Sequence, residues 1–383
     1  MRSADVVVIG AGVAGASVAY HLKELDANLH VVLLEAQESP GAGETSKATG
    51  GIRLQFGTEA NIRLSQLSLP YFEQFLERFG VDPGFRQHGY LFVTTSPEHW
   101  ETLQRQAELQ RQCGVPTQLL VPDEIAELHP ALRVDDLIGG AYCPLDGSLD
   151  PYTVVQGFLA RFRELGGEVV TESLVTGLSA MDGSAWRVQT PEQTWTAQTV
   201  VLAAGPWTRQ VAAYAGIDLP VFPYQRQVFV VERPPSVPSS VPLTVDVDTG
   251  WYAHTHGYEV LLGGTDKDDR PGLEATVDWD RFARIHEATA RRMPVLVEAK
   301  VVRAYAGARS LTPDHHPILG PVEDKEGLYV ACGFSGHGVM HSPAVGLLVA
   351  EWIVHGAPVT WDASALTATR FRSDLRLTES VIF

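Results

Sequence analysis

Apolar positions along this chain repeat in two ways. Unbroken runs at Val6–Ile9, His30–Leu34 and Thr199–Ala203 suit strands buried on both faces of a parallel sheet, where alternation disappears. Helical spacing follows the first run to about Leu25, and recurs at Pro70–Phe79, His99–Cys113, Asp123–Leu128, Asp280–Arg292 and Val339–Val354. The clearest helix is Asp150–Leu165. Asp150 can cap it, Pro151 suits its first turn and Gly166 can close it. Leu91–Thr94, Glu168–Thr171, Trp186–Gln189, Gln227–Val231 and Leu328–Ala331 read as strands. Residues 221–299 look antiparallel, with turns at Asp248-Thr249-Gly250 and His256-Gly257. The pattern predicts a mixed α/β (α+β) fold.

The junction after the first run carries a specific signal. Gly10, Gly12 and Gly15 stand at G-x-G-x-x-G spacing between strand and helix. Gly10 permits the tight turn, Gly12 lets the backbone approach a pyrophosphate, and Gly15 lets helix pack closely on strand. The helix N-terminus offers N–H groups and a positive dipole end to phosphates. Glu35 closes the second strand about twenty residues on, where a carboxylate can accept from a ribose 2′-OH. A dinucleotide site follows. Glu35 would repel a 2′-phosphate, which favours FAD or NAD over NADP.

Composition narrows the setting. At 383 residues the chain can hold a large core and two domains. Apolar residues make up 45% and no run spans a bilayer, so no membrane span is expected. The first strand begins within a few residues of Met1, so no targeting peptide is expected and a cytoplasmic location is the default. Cys113, Cys143 and Cys332 are odd in number without a C-x-x-C pair, which suggests neither disulfides nor zinc. His315-His316 lacks a third ligand, and no metal site is assigned. A net charge of −17 argues against nucleic acid as a partner, and an anionic substrate would need a local cation.

A plain NAD dehydrogenase would continue with more β-α units after Glu35. Here a polar loop, Ser39–Gly51, intervenes. A second strand ending at Ala204-Gly205-Pro206-Trp207 and a Gly-rich loop, Gly333–Gly338, come far downstream. One long ligand touched by separated segments suits FAD better than NAD.

Several blocks together carry a family resemblance: Gly10–Glu35, Gly51–Gly57, Gln87–Phe92, Val200–Trp207, Ala306–Arg309, Thr312–Asp314 with Pro317 and Gly320, and Gly333–His341. They resemble the D-amino-acid oxidase-like flavoproteins, and the Gly51–Gly57 and Gly333–His341 blocks are most similar to the β subunits of heteromeric sarcosine oxidase and L-proline dehydrogenase. Glycine oxidase is also similar. The resemblance implies a GR2-type flavoprotein: a Rossmann-like FAD-binding domain (1–85, 145–220 and 300–383) and a mixed-sheet substrate domain (86–144 and 221–299). It implies FAD-dependent oxidation of the C–N bond of a small amino acid (sarcosine, glycine or L-proline type) to an imine, by hydride transfer to flavin N5. The alternatives are a D-amino-acid dehydrogenase, or the flavin subunit of a larger amine dehydrogenase complex. Homo- or hetero-oligomers, and oxygen or a redox partner as acceptor, stay open.

The resemblance also assigns residues. Arg309 matches the arginine that grips the substrate carboxylate, a task suited to a planar guanidinium; the competing reading is a structural ion pair. Arg53 matches an arginine near the isoalloxazine, again with a structural role as the alternative. Tyr252 and His254 lie on a hairpin where the family places pocket side chains, and His256 reads as an exposed turn. Cofactor contacts fall to Gly10, Gly12, Val13, Ala14, Gly15, Glu35 and Ala36; to Thr45, Ser46, Lys47, Gly50 and Gly51; and to Val175 at the adenine. Ala204, Gly205, Trp207, Arg309, Gly333, Gly336, His337, Gly338, Val339 and Met340 complete them.

Departures from the family pattern count too. The cysteine that carries the flavin covalently in monomeric sarcosine oxidase falls on Gly307, and the linking histidine of dimethylglycine dehydrogenase falls on Lys47. Non-covalent FAD is the expectation. The oxygen-promoting lysine of monomeric sarcosine oxidase has no match in Val260-Leu261-Leu262-Gly263-Gly264. A second carboxylate-binding lysine of that enzyme falls on Met340. Slow oxygen reactivity follows, with substrate anchoring on Arg309 and Arg53.

Overall fold

Val6–Ile9 is buried on both faces because it lies inside a sheet with helices against it. The computed structural model describes residues 1–181, 185–264, 270–372, 377 and 379. One sheet orders the strands Ile318–Pro321, Leu328–Cys332, Thr194–Leu202, Arg2–Ile9, Val31–Leu34 and Glu168–Val170. The last five run parallel, and Ile318–Pro321 is antiparallel to its neighbour. Gly177–Ala180 and Trp186–Gln189 extend Thr194–Leu202 as an antiparallel meander.

Helix Val13–Leu25 packs on this sheet against Arg2–Ile9 and Val31–Leu34, and helix Gly338–His355 packs beside it against Ile318–Pro321 and Leu328–Cys332. The two helices approach closely because small residues meet: a Cβ on Gly346 would lie 2.1 Å from the Ser17 hydroxyl. Helix Pro151–Glu164 starts as its sequence dictates, with the Asp150 carboxylate accepting from the Thr153 N–H. Such a cap contributes about 1 kcal/mol.

The second sheet orders Val301–Leu311, Phe222–Glu232, Glu259–Gly264, Trp251–His256, Leu243–Asp246, Tyr90–Thr94, Gly139–Cys143 and Gln118–Leu120. Its pairings are antiparallel except Leu243–Asp246 with Tyr90–Thr94, so it is a mixed sheet as expected. Val301–Leu311 forms one edge. Among the described residues no helix is long and apolar enough to cross a membrane. Cys113, Cys143 and Cys332 are free thiols.

Two elements differ from expectation. The helix expected at Pro70–Phe79 is two helices, Glu59–Glu73 and Phe75–Phe79, with Pro70 inside the first. The buried face of the first includes Asn61, Ser65 and Ser68, which hides its apolar period. Those polar groups have work: Ser65 Oγ pairs with His341 Nε2 at 3.1 Å, and Ser68 Oγ accepts from the Ala344 N–H at 3.2 Å. The long strand Val301–Leu311 was unexpected because its Arg, Gly and Ala positions leave much of it half-exposed.

Candidate active site

A cavity of about 490 Å³ runs between the two sheets. At one end lie Gly10, Gly12, Val13 and Ala14. Gly10 has φ +103°, and a Cβ there would stand 2.6 Å from the Ala203 carbonyl oxygen. A Cβ on Gly15 would stand 1.9 Å from the Gly10 oxygen. No side chain caps the helix at Gly12, though Val13 N–H donates to Thr45 Oγ1 at 3.1 Å. Glu35 lines the same end with Ala36. Its carboxylate accepts from the N–H groups of Ala11 at 2.8 Å and Gln37 at 2.9 Å. A carboxylate has about four acceptor positions, so it keeps capacity for ribose hydroxyls. Val175, Ala204, Gly205 and Trp207 continue the wall.

At the other end stand Arg53, Arg309, Tyr252, Tyr90 and His337. The Arg309 side chain has no hydrogen-bond or ion-pair partner among the described residues, and its Nη1 is buried. Its guanidinium lies against the Gly336 backbone, where a Cβ would stand 2.7 Å from Cζ. Burial lowers its pKa, opposed by nearby Tyr252 and Tyr90. Arg53 is also buried without an ion pair, and burial pushes its pKa down. Its Nη1 donates to the Gln55 carbonyl at 3.1 Å and its Nη2 to His337 Nε2 at 3.1 Å. It also stacks over Phe56, 4.3 Å from the ring centroid. Burial, then the Arg53 charge, drives the His337 pKa well below the usual range, so the ring is neutral. With Nε2 accepting, Nδ1 carries the proton, and Nδ1 is buried without a partner.

Two desolvated cations, neither in an ion pair among the described residues, and an unpaired donor fit anionic and carbonyl groups of a ligand. The opposite end fits a pyrophosphate and a ribose. The profile of the DAO family, described as FAD-dependent oxidoreductase, matches residues 5–352. The chain belongs to this family. It is 30% identical to mitochondrial dimethylglycine dehydrogenase of Rattus norvegicus over 93% of its own length and 43% of that protein's. It is 30% identical to mitochondrial sarcosine dehydrogenase of Mus musculus, again over 93% of this chain and 40% of the relative. The chain thus spans less than half the length of these relatives. The crystal structure of L-proline dehydrogenase from P. horikoshii superposes with TM-score 0.91 at 29% identity, covering 97% of this chain and 99% of that one. Glycine oxidase from Geobacillus kaustophilus gives 0.86 at 26%, covering 97% and 99%. The chain is therefore an FAD-dependent oxidoreductase of the DAO type.

Most residues expected to hold FAD line this one cavity, including Thr45, Lys47, Gly50, Gly51, Gly338, Val339 and Met340. Four expected site residues lie off its wall. Gly15 sits behind it, where helix meets strand. Ser46 Oγ donates back to the Ala42 and Gly43 carbonyls and so shapes the loop from outside. Gly333 packs against Thr312, whose Cγ2 would be 2.4 Å from a Cβ. His254 is the fourth. It is buried beyond Tyr252, against the Thr49 backbone, and burial brings its pKa down to about 4. His256 is exposed, as expected for a turn.

Several lining residues were not expected: Glu44, Phe92, Tyr90, Leu243, Val245, Gln227 and Tyr305. Tyr90 and Phe92 share one face of a strand, as Leu243 and Val245 do, so alternation within the strands was the available signal.

Proposed function

We propose that this chain oxidises the C–N bond of a small amino acid of the sarcosine, glycine or proline type, N-methylated ones included, to an imine. FAD, when bound, supplies the two-electron acceptor. In this reading Gly10–Ala14, Glu35, Thr45 and Val175 hold its nucleotide half, and Gly50, Gly51, Gly336–Met340 and Arg53 its flavin half. The observation that carries the substrate assignment is Arg309, a guanidinium in the cavity wall with no partner of its own. A bidentate carboxylate would satisfy it and fix the adjacent carbon. Tyr90 and Tyr252 flank it; burial raises both phenol pKa values, so both stay protonated and can donate. The matched relatives named for dimethylglycine and sarcosine, and the structures named for proline and glycine, support this substrate class.

Anaerobic bleaching of the holoenzyme's yellow colour by a panel of amino acids, both enantiomers included, tests the proposal. At least one member of this set should bleach it, and the matching amino alcohol should not. Bleaching by none, or equally by the alcohol, rejects the assignment. A second reading, the flavin subunit of a larger dehydrogenase, is favoured by the lysine-free strand Val260–Gly264. Turnover with artificial acceptors but not with air would support it.

A further inference from the structure

The short turn Glu44–Lys47 reaches both halves of the cavity. Thr45 Oγ1 accepts from Val13 N–H, in the first turn of the dinucleotide helix. One residue earlier, Glu44 Oε2 accepts from the Ala308 N–H at 2.7 Å, and Ala308 is the chain neighbour of Arg309. Among the described residues the strand Val301–Leu311 pairs with Phe222–Glu232 alone, and no described strand meets its outward N–H groups. The Glu44 carboxylate takes the place of one. Its other oxygen pairs with Lys47 Nζ at 3.0 Å. The contact needs a bare backbone at 307: a Cβ on Gly307 would stand 2.4 Å from Glu44 Oε2.

We infer that Glu44 is a positioning residue that couples dinucleotide binding at Gly10–Val13 to placement of the Arg309 guanidinium, so that FAD and a carboxylate at Arg309 tighten each other's binding. The inference rests on the proposed role of Arg309 as carboxylate anchor. The route is short. A ligand that orders Thr45 orders Glu44, which holds Ala308, and Arg309 is the next residue. Such coupling is reciprocal by thermodynamic necessity.

The test uses holoenzyme and acetate as the carboxylate probe. Serial dilution, with free FAD followed by its fluorescence, gives the FAD dissociation constant with and without saturating acetate. Acetate binding is followed separately by its shift of the flavin absorbance. Acetate should tighten FAD binding about five-fold or more in the parent protein. Glu44→Gln should keep the effect, because its amide oxygen still accepts from Ala308. Glu44→Ala should bring the ratio to about one while acetate still shifts the flavin band. Should that variant not fold, Glu44→Asp, one methylene too short for Ala308, takes its place. The same tightening in Glu44→Ala, or none in the parent protein despite a band shift, overturns the inference. A band shift absent in the parent protein, or retained in Arg309→Leu, instead overturns the anchor role of Arg309 and the inference with it.

Discussion

Arg53 Nη2 and His337 Nε2 lie 3.1 Å apart, although 284 positions separate them in sequence. The bond joins the Gly51–Gly57 block to the Gly333–His341 block at the end of the cavity away from the Gly10–Ala14 turn. Each partner needs the other. Arg53 forms no ion pair among the described residues and donates to neutral acceptors, and His337 is held in one tautomer by accepting. Replacing His337 with Leu leaves a buried guanidinium N–H unpaired, which costs about 1–3 kcal/mol. Urea unfolding should show that loss. The double variant Arg53→Leu/His337→Leu should lose less than the sum of the single ones, by at least about 0.5 kcal/mol. Additive losses would show that the pair contributes nothing specific.

Arg309 makes a separate prediction about binding. It has no protein partner to lose, so its truncation should leave stability unharmed or improved, since an unpaired buried charge is removed. A substrate carboxylate, by contrast, would lose the guanidinium that has no hydrogen-bond partner of its own. Arg309→Leu should raise KM about 100-fold, corresponding to about 2.7 kcal/mol of a charge-assisted bidentate contact. Steady-state kinetics beside a thermal melt separates the two effects. An unchanged KM would remove Arg309 from the role.

The attachment of FAD should be non-covalent. The two positions at which the resemblance would place a covalent link, Gly307 and Lys47, come together: a Cβ on Gly307 would lie 3.2 Å from Lys47 Cδ. Neither offers a thiolate, imidazole or phenolate, and the space beside Gly307 is taken by the Glu44 carboxylate. Acid precipitation should leave the yellow colour in the supernatant. Colour retained in the pellet would contradict the expectation.

How much of this was legible beforehand depends on how local each signal is. The dinucleotide turn was readable because Gly10, Gly12, Gly15 and Glu35 act within one strand-helix-strand unit. Helix Pro151–Glu164 was readable from Asp150, Pro151 and Gly166 for the same reason. Helix Glu59–Glu73 was not, because Ser65 and Ser68 are buried to serve His341 and Ala344, almost three hundred positions away. The identity of Arg309 was suggested by resemblance. That it stands without a partner, and that Glu44 holds its neighbour, are facts of tertiary assembly that no window of sequence contains. The placement of His254 off the cavity wall was hidden for a related reason: it shares a strand face with Tyr252, but the Thr49 loop covers it.

Reaction with oxygen should be slow. The strand Val260–Gly264 contains no lysine; Leu261 and Gly263 share the face that carries Tyr252, and Gly263 packs beneath the Tyr252 ring. Lys47 is the one lysine lining the cavity among the described residues, and Glu44 neutralises it. Residues 265–269 lie outside the described part of the chain. Stopped-flow mixing of substrate-reduced enzyme with air-saturated buffer measures the rate directly. Recovery of the yellow colour faster than turnover with an artificial acceptor would refute the expectation.

Acid should destabilise the fold through buried histidines. His21, His129 and His254 are held neutral chiefly by burial, with pKa values brought down to about 4, and His341 to about 3. In the unfolded chain each titrates near 6.5. The folded state therefore binds fewer protons between these values, and the stability from each histidine is full above pH 6.5 and lost as pH falls toward 4. A shift from 6.5 to about 4 corresponds to roughly 3 kcal/mol for a fully buried ring. One group opposes them. Asp146, raised to about 7 mainly by burial, favours its protonated form in the fold, so its contribution falls as pH rises from 4 to 7. One carboxyl against several histidines leaves the histidines dominant. Unfolding free energy by urea should therefore drop from pH 6.5 to pH 4.5. His129 lies outside the cavity and its Nδ1 has no partner, which makes it the cleanest probe. His129→Leu should reduce the slope of stability against pH in this window by up to one proton, about 1.4 kcal/mol per pH unit. An unchanged slope would show that His129 is not held neutral by the fold.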